Sequence, residues 1–199
     1  DLGAADDVAV RDDAFVLAHV GSLYATRDPG AVWQAVRRLR EAGEVEKLTV
    51  RLVGTTDAGV RAAAEATGAP VEAVPYVTHA QAIREQAQAG ALLLSIEPFT
   101  ADRGMITGKL YEYLASGRPV LGVGPADGDA AALLAETGGG AMFARDDVDG
   151  IAAALREHYA AWAAGAPRRG AAWSAVAPYT RLAQTETLAG VIRQLNEDR

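Results

Sequence analysis

The chain has 199 residues, 50% of them hydrophobic, with 19 Lys and Arg against 26 Asp and Glu and a net charge of -7. This apolar content supports one sizeable core, and the negative charge leaves no electrostatic footprint for a nucleic-acid backbone, so no nucleic-acid partner is expected. The sequence has no cysteine, and its histidines lack zinc-ligand spacing, so it predicts no disulfide, no metal site and no other cofactor.

The start of the chain and its hydropathy give expectations about its setting. No apolar run approaches the roughly 20 residues that span a bilayer, and the first residues are acidic where a signal peptide would be basic. We therefore expect a cytoplasmic protein. The chain begins without Met, so we expect residues 1–13 to be a tether from a longer protein. Residues 14–166 are then the main domain, and residues 167–199 a closing helical region of that domain.

Short apolar runs alternate with helical patterns along the chain. Strands are predicted at residues 14–20, 47–54, 71–77, 91–96, 119–123 and 141–144. Such alternation is typical of βαβ units, so the predicted fold is α/β, a Rossmann-like doubly wound parallel sheet with helices on both faces.

Capping patterns mark the helices between these strands. Asp28 is predicted to cap the first helix with Pro29 at its first position, and Thr78 and Gln81 form a capping-box pattern near His79. Two apolar stripes predict two further helices after the last strand. Their residues are Ile151, Leu155, Tyr159 and Trp162 in one, and Leu182, Leu188, Val191, Ile192 and Leu195 in the other.

In open parallel sheets, ligands bind beyond the carboxyl ends of the strands, so the loops there are the candidate sites. Gly21 follows the first strand and allows close backbone approach, and Arg27 can donate two hydrogen bonds to a phosphate. A plain turn with a solvated arginine is equally consistent with this stretch. GSLYAT lacks the later glycines of the dinucleotide fingerprint, which disfavours a nicotinamide enzyme.

The stretch TGKLYEYLASG, which starts at Thr107, predicts a short helix that ends at Gly117. It is not a P-loop, because Leu110 stands where a magnesium-binding Ser or Thr is required. Its first amides and Lys109 favour an anion, and Glu112 on the same face would suit ribose hydroxyls. Phosphate and hydroxyls together indicate a nucleotide. The alternative is a surface Lys109–Glu112 pair, worth about 0.2 to 0.5 kcal/mol.

Other polar residues are weaker candidates. His19 lies within an apolar strand and is predicted to be a core residue, His158 is predicted to be solvated, and His79 begins a helix at the ligand edge. The segments after the second and third strands could approach a base or a sugar. The residues assigned to the vicinity of the base or the sugar are Gly54, Tyr76, Val77 and His79, together with Glu97 and Asp102 in the loop after the fourth strand.

The order of GSLY, LVG, PYVTHAQ and, above all, GKLYEYLASGRPVLGV resembles the C-terminal half of a GT-B-type glycosyltransferase of group 1, family four. The resemblance implies a domain that binds the nucleotide of an activated sugar, with the acceptor held by an N-terminal domain of the same protein. It also allows peripheral membrane association through that other domain. The sequence leaves the base, sugar, acceptor, stereochemistry and catalytic residue open.

The family's motifs assign roles to individual residues. The resemblance implies that Glu112 holds the ribose and that the donor diphosphate lies against Gly21, Ser22, Arg27, Thr107, Gly108 and Lys109. The first glutamate of the family's paired motif falls at Gly104, which raises the question of whether Asp102 or Glu97 replaces it. A non-catalytic nucleotide-sugar-binding module and a GT-B-type sugar-nucleotide epimerase are the alternatives to a transferase.

Overall fold

A computed structural model describes residues 8–197, so most of the predicted tether lies outside the described residues. Its strands are β1 Phe15–Val20, β2 Leu48–Val53, β3 Val71–Val74, β4 Ala91–Ser95, β5 Val120–Val123 and β6 Gly140–Phe143. They form one sheet in the order β3-β2-β1-β4-β5-β6, and every neighbouring pair is parallel. The predicted doubly wound parallel sheet is confirmed.

Helices cover both faces of this sheet. They are α1 Gly30–Glu41, α2 Ala58–Glu65, α3 His79–Gln88, α4 Gly108–Ala115, α5 Asp129–Thr137, α6 Val148–Ala163, α7 Trp173–Val176 and α8 Arg181–Glu197. One core contains side chains of α1, α2 and α6, and a second core, on the other face, contains side chains of α4, α5 and α7. In β1, Phe15 and Leu17 join the first core while Val16 and Ala18 join the second, which is why this strand is apolar throughout.

Most predicted strand limits agree with the structure to within one residue, but the third strand and the cap of the first helix differ in ways that have a physical reason. The third strand ends at Val74, before Pro75, so Tyr76 and Val77 lie in a loop and not in the strand. A proline has no N–H to donate to a sheet ladder, which accounts for the early end. The prediction that Asp28 caps the first helix is wrong: Pro29 is the N-cap, and the Asp28 carboxylate instead accepts a hydrogen bond from Trp33 Nε1 at 2.7 Å.

The two C-terminal stripes have different outcomes. Ile151 and Leu155 of α6 are fully buried in the first core, as predicted. The apolar side chains of α8 are exposed, with Leu182 70% accessible. The stripe therefore predicts a helix correctly. Within the described residues, however, no other part of the chain buries the apolar face of this helix.

Helix α4 is fixed at the carboxyl end of β1 by a buried tyrosine. The Tyr113 hydroxyl accepts a hydrogen bond from the Val20 N–H at 2.9 Å and donates one to the Val20 carbonyl at 3.3 Å. Leu110 and Leu114 on either side are fully buried in the second core. Because apolar packing and one polar contact act together, the direction in which the α4 N-terminus points is set by β1.

We expect Tyr113→Phe to lower the free energy of unfolding by about 1 to 3 kcal/mol, because it leaves the buried Val20 N–H without an acceptor. Urea denaturation gives this value. Tyr159→Phe is the matched control, since the Tyr159 hydroxyl accepts only from the exposed Lys47 N–H at 3.1 Å, where water can replace it. Its expected cost is below about 1 kcal/mol. Equal losses for the two variants would contradict this role for Tyr113.

Candidate active site

The candidate site lies where the strand order reverses. The chain runs outward from β1 through β2 to β3 and then returns to β4 on the other side of β1. The loops that follow β1 and β4 therefore diverge and leave a crevice at their carboxyl ends, where open α/β sheets bind ligands. The first of these loops begins at Gly21, and the second leads into α4.

Two glycines form the floor of this crevice. Gly21 has a φ of 126° and Gly54 a φ of 107°, a backbone region that favours glycine. The Gly21 N–H donates to the Val53 carbonyl at 2.7 Å, and a methyl group at Gly54 would lie 2.8 Å from the Gly21 oxygen. Both positions therefore require glycine, and the two loops pack directly on each other.

The Lys109 side chain lies across Gly21. A methyl group at Gly21 would lie 2.8 Å from Lys109 Cε, and Lys109 Nζ is 3.1 Å from His19 Nε2. The other ring nitrogen, His19 Nδ1, lies 3.0 Å from the Leu93 carbonyl. A neutral imidazole has one N–H, and placing it on Nδ1 lets the ring donate to the Leu93 carbonyl and accept from the Lys109 ammonium at Nε2. The Ser22 carbonyl, 3.3 Å from Nε2, then receives no hydrogen bond from the ring.

The electrostatics agree with this arrangement. Burial, and then the nearby Lys109, lower the pKa of His19 to about 3, so the imidazole is neutral. Burial, and then the Arg27 guanidinium, lower the pKa of Lys109 to about 8, although Glu112 raises it. Lys109 is thus a partly desolvated cation beside the first amides of α4, which have no acceptor within the helix. Both features favour an anion at this position.

A cleft of about 410 Å³ opens beside Lys109. It brings together eight of the residues that the sequence predicted: Gly21, Gly54, Tyr76, Val77, His79, Gly108, Lys109 and Glu112. Tyr76 stands at the mouth and is 88% exposed. A second hollow of about 900 Å³ shares His79, Gly108 and Glu112 with the cleft and extends to the start of α8.

Glu112 and Lys109 have separate partners. Glu112 Oε2 accepts a hydrogen bond from Gln86 Nε2 at 3.3 Å, while Lys109 Nζ contacts His19. No ion pair joins Lys109 to Glu112 among residues 8–197. The alternative of a surface helix pair is therefore wrong.

Five predicted residues do not line the cleft: Ser22, Arg27, Glu97, Asp102 and Thr107. Arg27 Nη2 pairs with Glu97 Oε2 at 3.3 Å, and its guanidinium carbon lies 5.8 Å from the Tyr24 ring centre. The Ser22 carbonyl lies 3.3 Å from His19 Nε2.

The other two predicted residues outside the cleft lining, Asp102 and Thr107, have different surroundings. Asp102 pairs with Arg145 at 2.6 Å, and Arg145 also donates to the Ile96 carbonyl at 3.3 Å. Thr107 is the N-cap residue of α4, yet its Oγ1 is buried and has no partner in the described part of the chain. Gly104 ends the short 3₁₀ turn Asp102–Gly104 and is exposed.

The sequence analysis missed two residues of the site, and outside the site it misjudged the exposure of His158. His19 was predicted as a core residue and is buried, but it also holds Lys109. Its place next to the end of β1 was the available signal. Gln86 gave no signal, because it lies in a helix of polar composition. His158, predicted to be solvated, is partly covered, and this burial lowers its pKa.

The sequence model described as glycosyl transferases group 1 matches residues 14–161. The chain belongs to this family. No curated protein shows significant sequence similarity to this group 1 chain. Within residues 8–197, no helix has the length and apolar character to cross a membrane.

Solved structures share the fold of this group 1 chain. Sucrose-phosphate synthase from Thermosynechococcus elongatus matches with a TM-score of 0.69 and 18% identity over 96% of this chain and 47% of its own. WaaG, a glycosyltransferase involved in lipopolysaccharide biosynthesis, matches with a TM-score of 0.59 and 22% identity over 79% and 43%. Anabaena HepE, solved in complex with UDP, matches with a TM-score of 0.54 and 16% identity over 89% and 49%. The chain thus spans about half the length of these proteins and has the fold of one half of a GT-B glycosyltransferase.

The depressed pKa of Lys109 predicts how stability depends on pH. The folded value is about 8 and the ordinary value 10.5, so between them the unfolded state binds more protons and stability rises with pH. The full gain is up to about 3 kcal/mol. Urea denaturation of wild type and Lys109→Met from pH 7 to 10 should show this rise in the wild type alone.

Lys47→Met is the control for this measurement, because Lys47 is exposed and distant from the cleft. Its stability should follow the wild-type pH dependence. If wild type and Lys109→Met instead run parallel over the whole range, the Lys109 ammonium is solvated and the desolvated site does not exist.

Proposed function

We propose that this chain is the donor-binding half of a glycosyltransferase that transfers a sugar from a nucleoside diphosphate sugar to an acceptor held by a preceding domain. The observation that carries the proposal is the desolvated Lys109 packed over Gly21 at the carboxyl end of β1. A cation that is costly to bury, placed at a helix N-terminus over a glycine turn, is an arrangement that a diphosphate would stabilise.

In this proposal the diphosphate lies between the Gly21–Ser22 turn and the start of α4. Lys109 and the amides of Gly108 and Lys109 stabilise the negative charge that develops as the nucleoside diphosphate leaves. Arg27 adds a second positive charge, which is close enough to lower the pKa of Lys109. These groups suffice for charge stabilisation, so transfer is proposed to need no metal.

Glu112 is proposed to accept hydrogen bonds from the ribose hydroxyls. It lies one helical turn beyond Lys109 and lines the same cleft, so a ligand with its diphosphate at Lys109 extends towards Glu112. The base then lies among Gly54, Tyr76, Val77 and His79 at the mouth. HepE, a structural neighbour, was solved with UDP and with UDP and glucose, which supports a nucleotide of this size for the fold.

The residues available to hold the donor sugar are the point on which a transferase and a non-catalytic binding module differ. Gly104 offers no side chain, while Glu97 and Asp102 are each paired with an arginine. This observation favours the non-catalytic alternative. An activity assay on the full-length protein, with and without an acceptor, separates a transferase from a binding module and from an epimerase.

A cytoplasmic location, with any membrane contact made by the preceding domain, is part of the proposal.

Lys109→Met and Arg27→Ala should each weaken UDP binding about ten- to hundredfold and change uridine binding little, because only the diphosphate makes the charge-assisted contact. Calorimetric titration with UDP and uridine measures both. Arg37→Ala, at an exposed position of α1, is the control and should leave UDP affinity unaltered. Equal losses for uridine and UDP would show that these cations do not face the diphosphate.

Glu112→Ala should cost about 1.5 to 3 kcal/mol of UDP affinity, the usual range for hydrogen bonds to a charged group. A 2′,3′-dideoxy analogue of UDP should bind wild type more weakly by a similar amount and lose little more in the variant. Glu41→Ala, an exposed glutamate of α1, is the matched control. Fully additive losses would mean that Glu112 does not contact the ribose.

A further inference from the structure

Gln86 is a buried polar residue on α3, the helix that contributes His79 and Ala82 to the cleft. It is 2% exposed, and α3 otherwise buries only Ala87. His79 and Ala82, which line the cleft, lie seven and four residues before Gln86 and hence on the same side of the helix. A buried glutamine needs hydrogen-bond partners, because an unsatisfied amide costs free energy in a low-dielectric interior.

The partner of Gln86 is the carboxylate of Glu112. Gln86 Nε2 lies 3.3 Å from Glu112 Oε2, and an ionised carboxylate only accepts, so the amide must present its N–H. This contact joins α3 to α4 across the cleft wall. It occupies one oxygen of Glu112 and leaves the other available to a ligand.

We infer that Gln86 is a positioning residue that orients the Glu112 carboxylate for a ligand's vicinal hydroxyls. The inference rests on the proposed function, since it assigns the contact a role in binding a ribose. A glutamate on a short helix has several staggered rotamers, and holding one of them before the ligand arrives lowers the entropic cost of binding. Gln86 supplies that restraint from a second helix without touching the ligand.

The test is Gln86→Met, which keeps an unbranched side chain of similar length and removes the donor. UDP affinity should fall about two- to tenfold, the loss expected for one hydrogen bond. Affinity for the 2′,3′-dideoxy analogue should be unchanged, because that ligand makes no use of the oriented carboxylate. Gln88→Met, at an exposed position of the same helix, is the matched control and should bind both ligands like wild type.

A double-mutant cycle gives a readout that a purely structural role would not move. In a Glu112→Ala background, Gln86→Met should cause no further loss of UDP affinity. If Gln86→Met lowers affinity for UDP and for the dideoxy analogue equally, or if its effect adds fully to that of Glu112→Ala, the inference is wrong. Should Gln86→Met fail to fold, Gln86→Asn replaces it, because the shorter amide remains polar but withdraws the donor from Glu112.

The proposed function and the positioning role of Gln86 can be overturned separately. If no nucleoside diphosphate binds, or if Glu112→Ala leaves the affinity of the one that binds intact, the proposed function is overturned. If Glu112→Ala weakens UDP in a ribose-dependent way while Gln86→Met and Gln86→Asn do not, only the positioning role of Gln86 is overturned.

Discussion

The double hydrogen bond between the Tyr113 hydroxyl and the backbone of Val20 links the two halves of the cleft. It ties α4 to the last residue of β1, so that Lys109, one turn earlier in the helix, reaches across Gly21. The apolar contacts of Leu110 and Leu114 are not directional, so this buried hydrogen bond adds a directional restraint that they lack. The polar geometry of the site thus depends on one phenol that is itself fully buried.

The buried polar groups of the site lower the stability of the folded protein. Lys109 is partly desolvated next to Arg27, and Arg27 Nε and Thr107 Oγ1 are buried without partners in the described residues. Buried polar groups without partners are rare in native proteins, and a catalytic role or a bound water or ion is among the explanations for them. The neutral His19 limits the cost, because it accepts from the ammonium without adding a second charge. Because His19 is neutral, it does not neutralise the Lys109 ammonium, and that positive charge is left for an anion from solution.

Local sequence patterns predicted much of the fold but only part of the site. The parallel sheet and the limits of α4 were predictable because apolar runs, capping residues and glycines act over a few residues. The direction of the Lys109 side chain was not, since helical spacing places it beside Glu112 and only the distant His19 draws it away. Gln86 was missed for the same reason: its burial depends on α4, which lies 20 or more residues later. The apolar stripe of α8 predicted a helix, but a stripe does not say what covers it.

The two loops at the floor of the cleft are cross-linked through their backbones. Besides the contact of Gly21 with Val53, the Leu23 N–H donates to the Thr55 carbonyl at 2.8 Å and the Asp57 N–H to the Leu23 carbonyl at 3.0 Å. These hydrogen bonds couple the two loops, so the surfaces that are proposed to face the phosphates and the base are held in one arrangement. The floor is therefore preorganised, and the conformational freedom left for induced fit belongs to side chains at the rim, such as the exposed Tyr76.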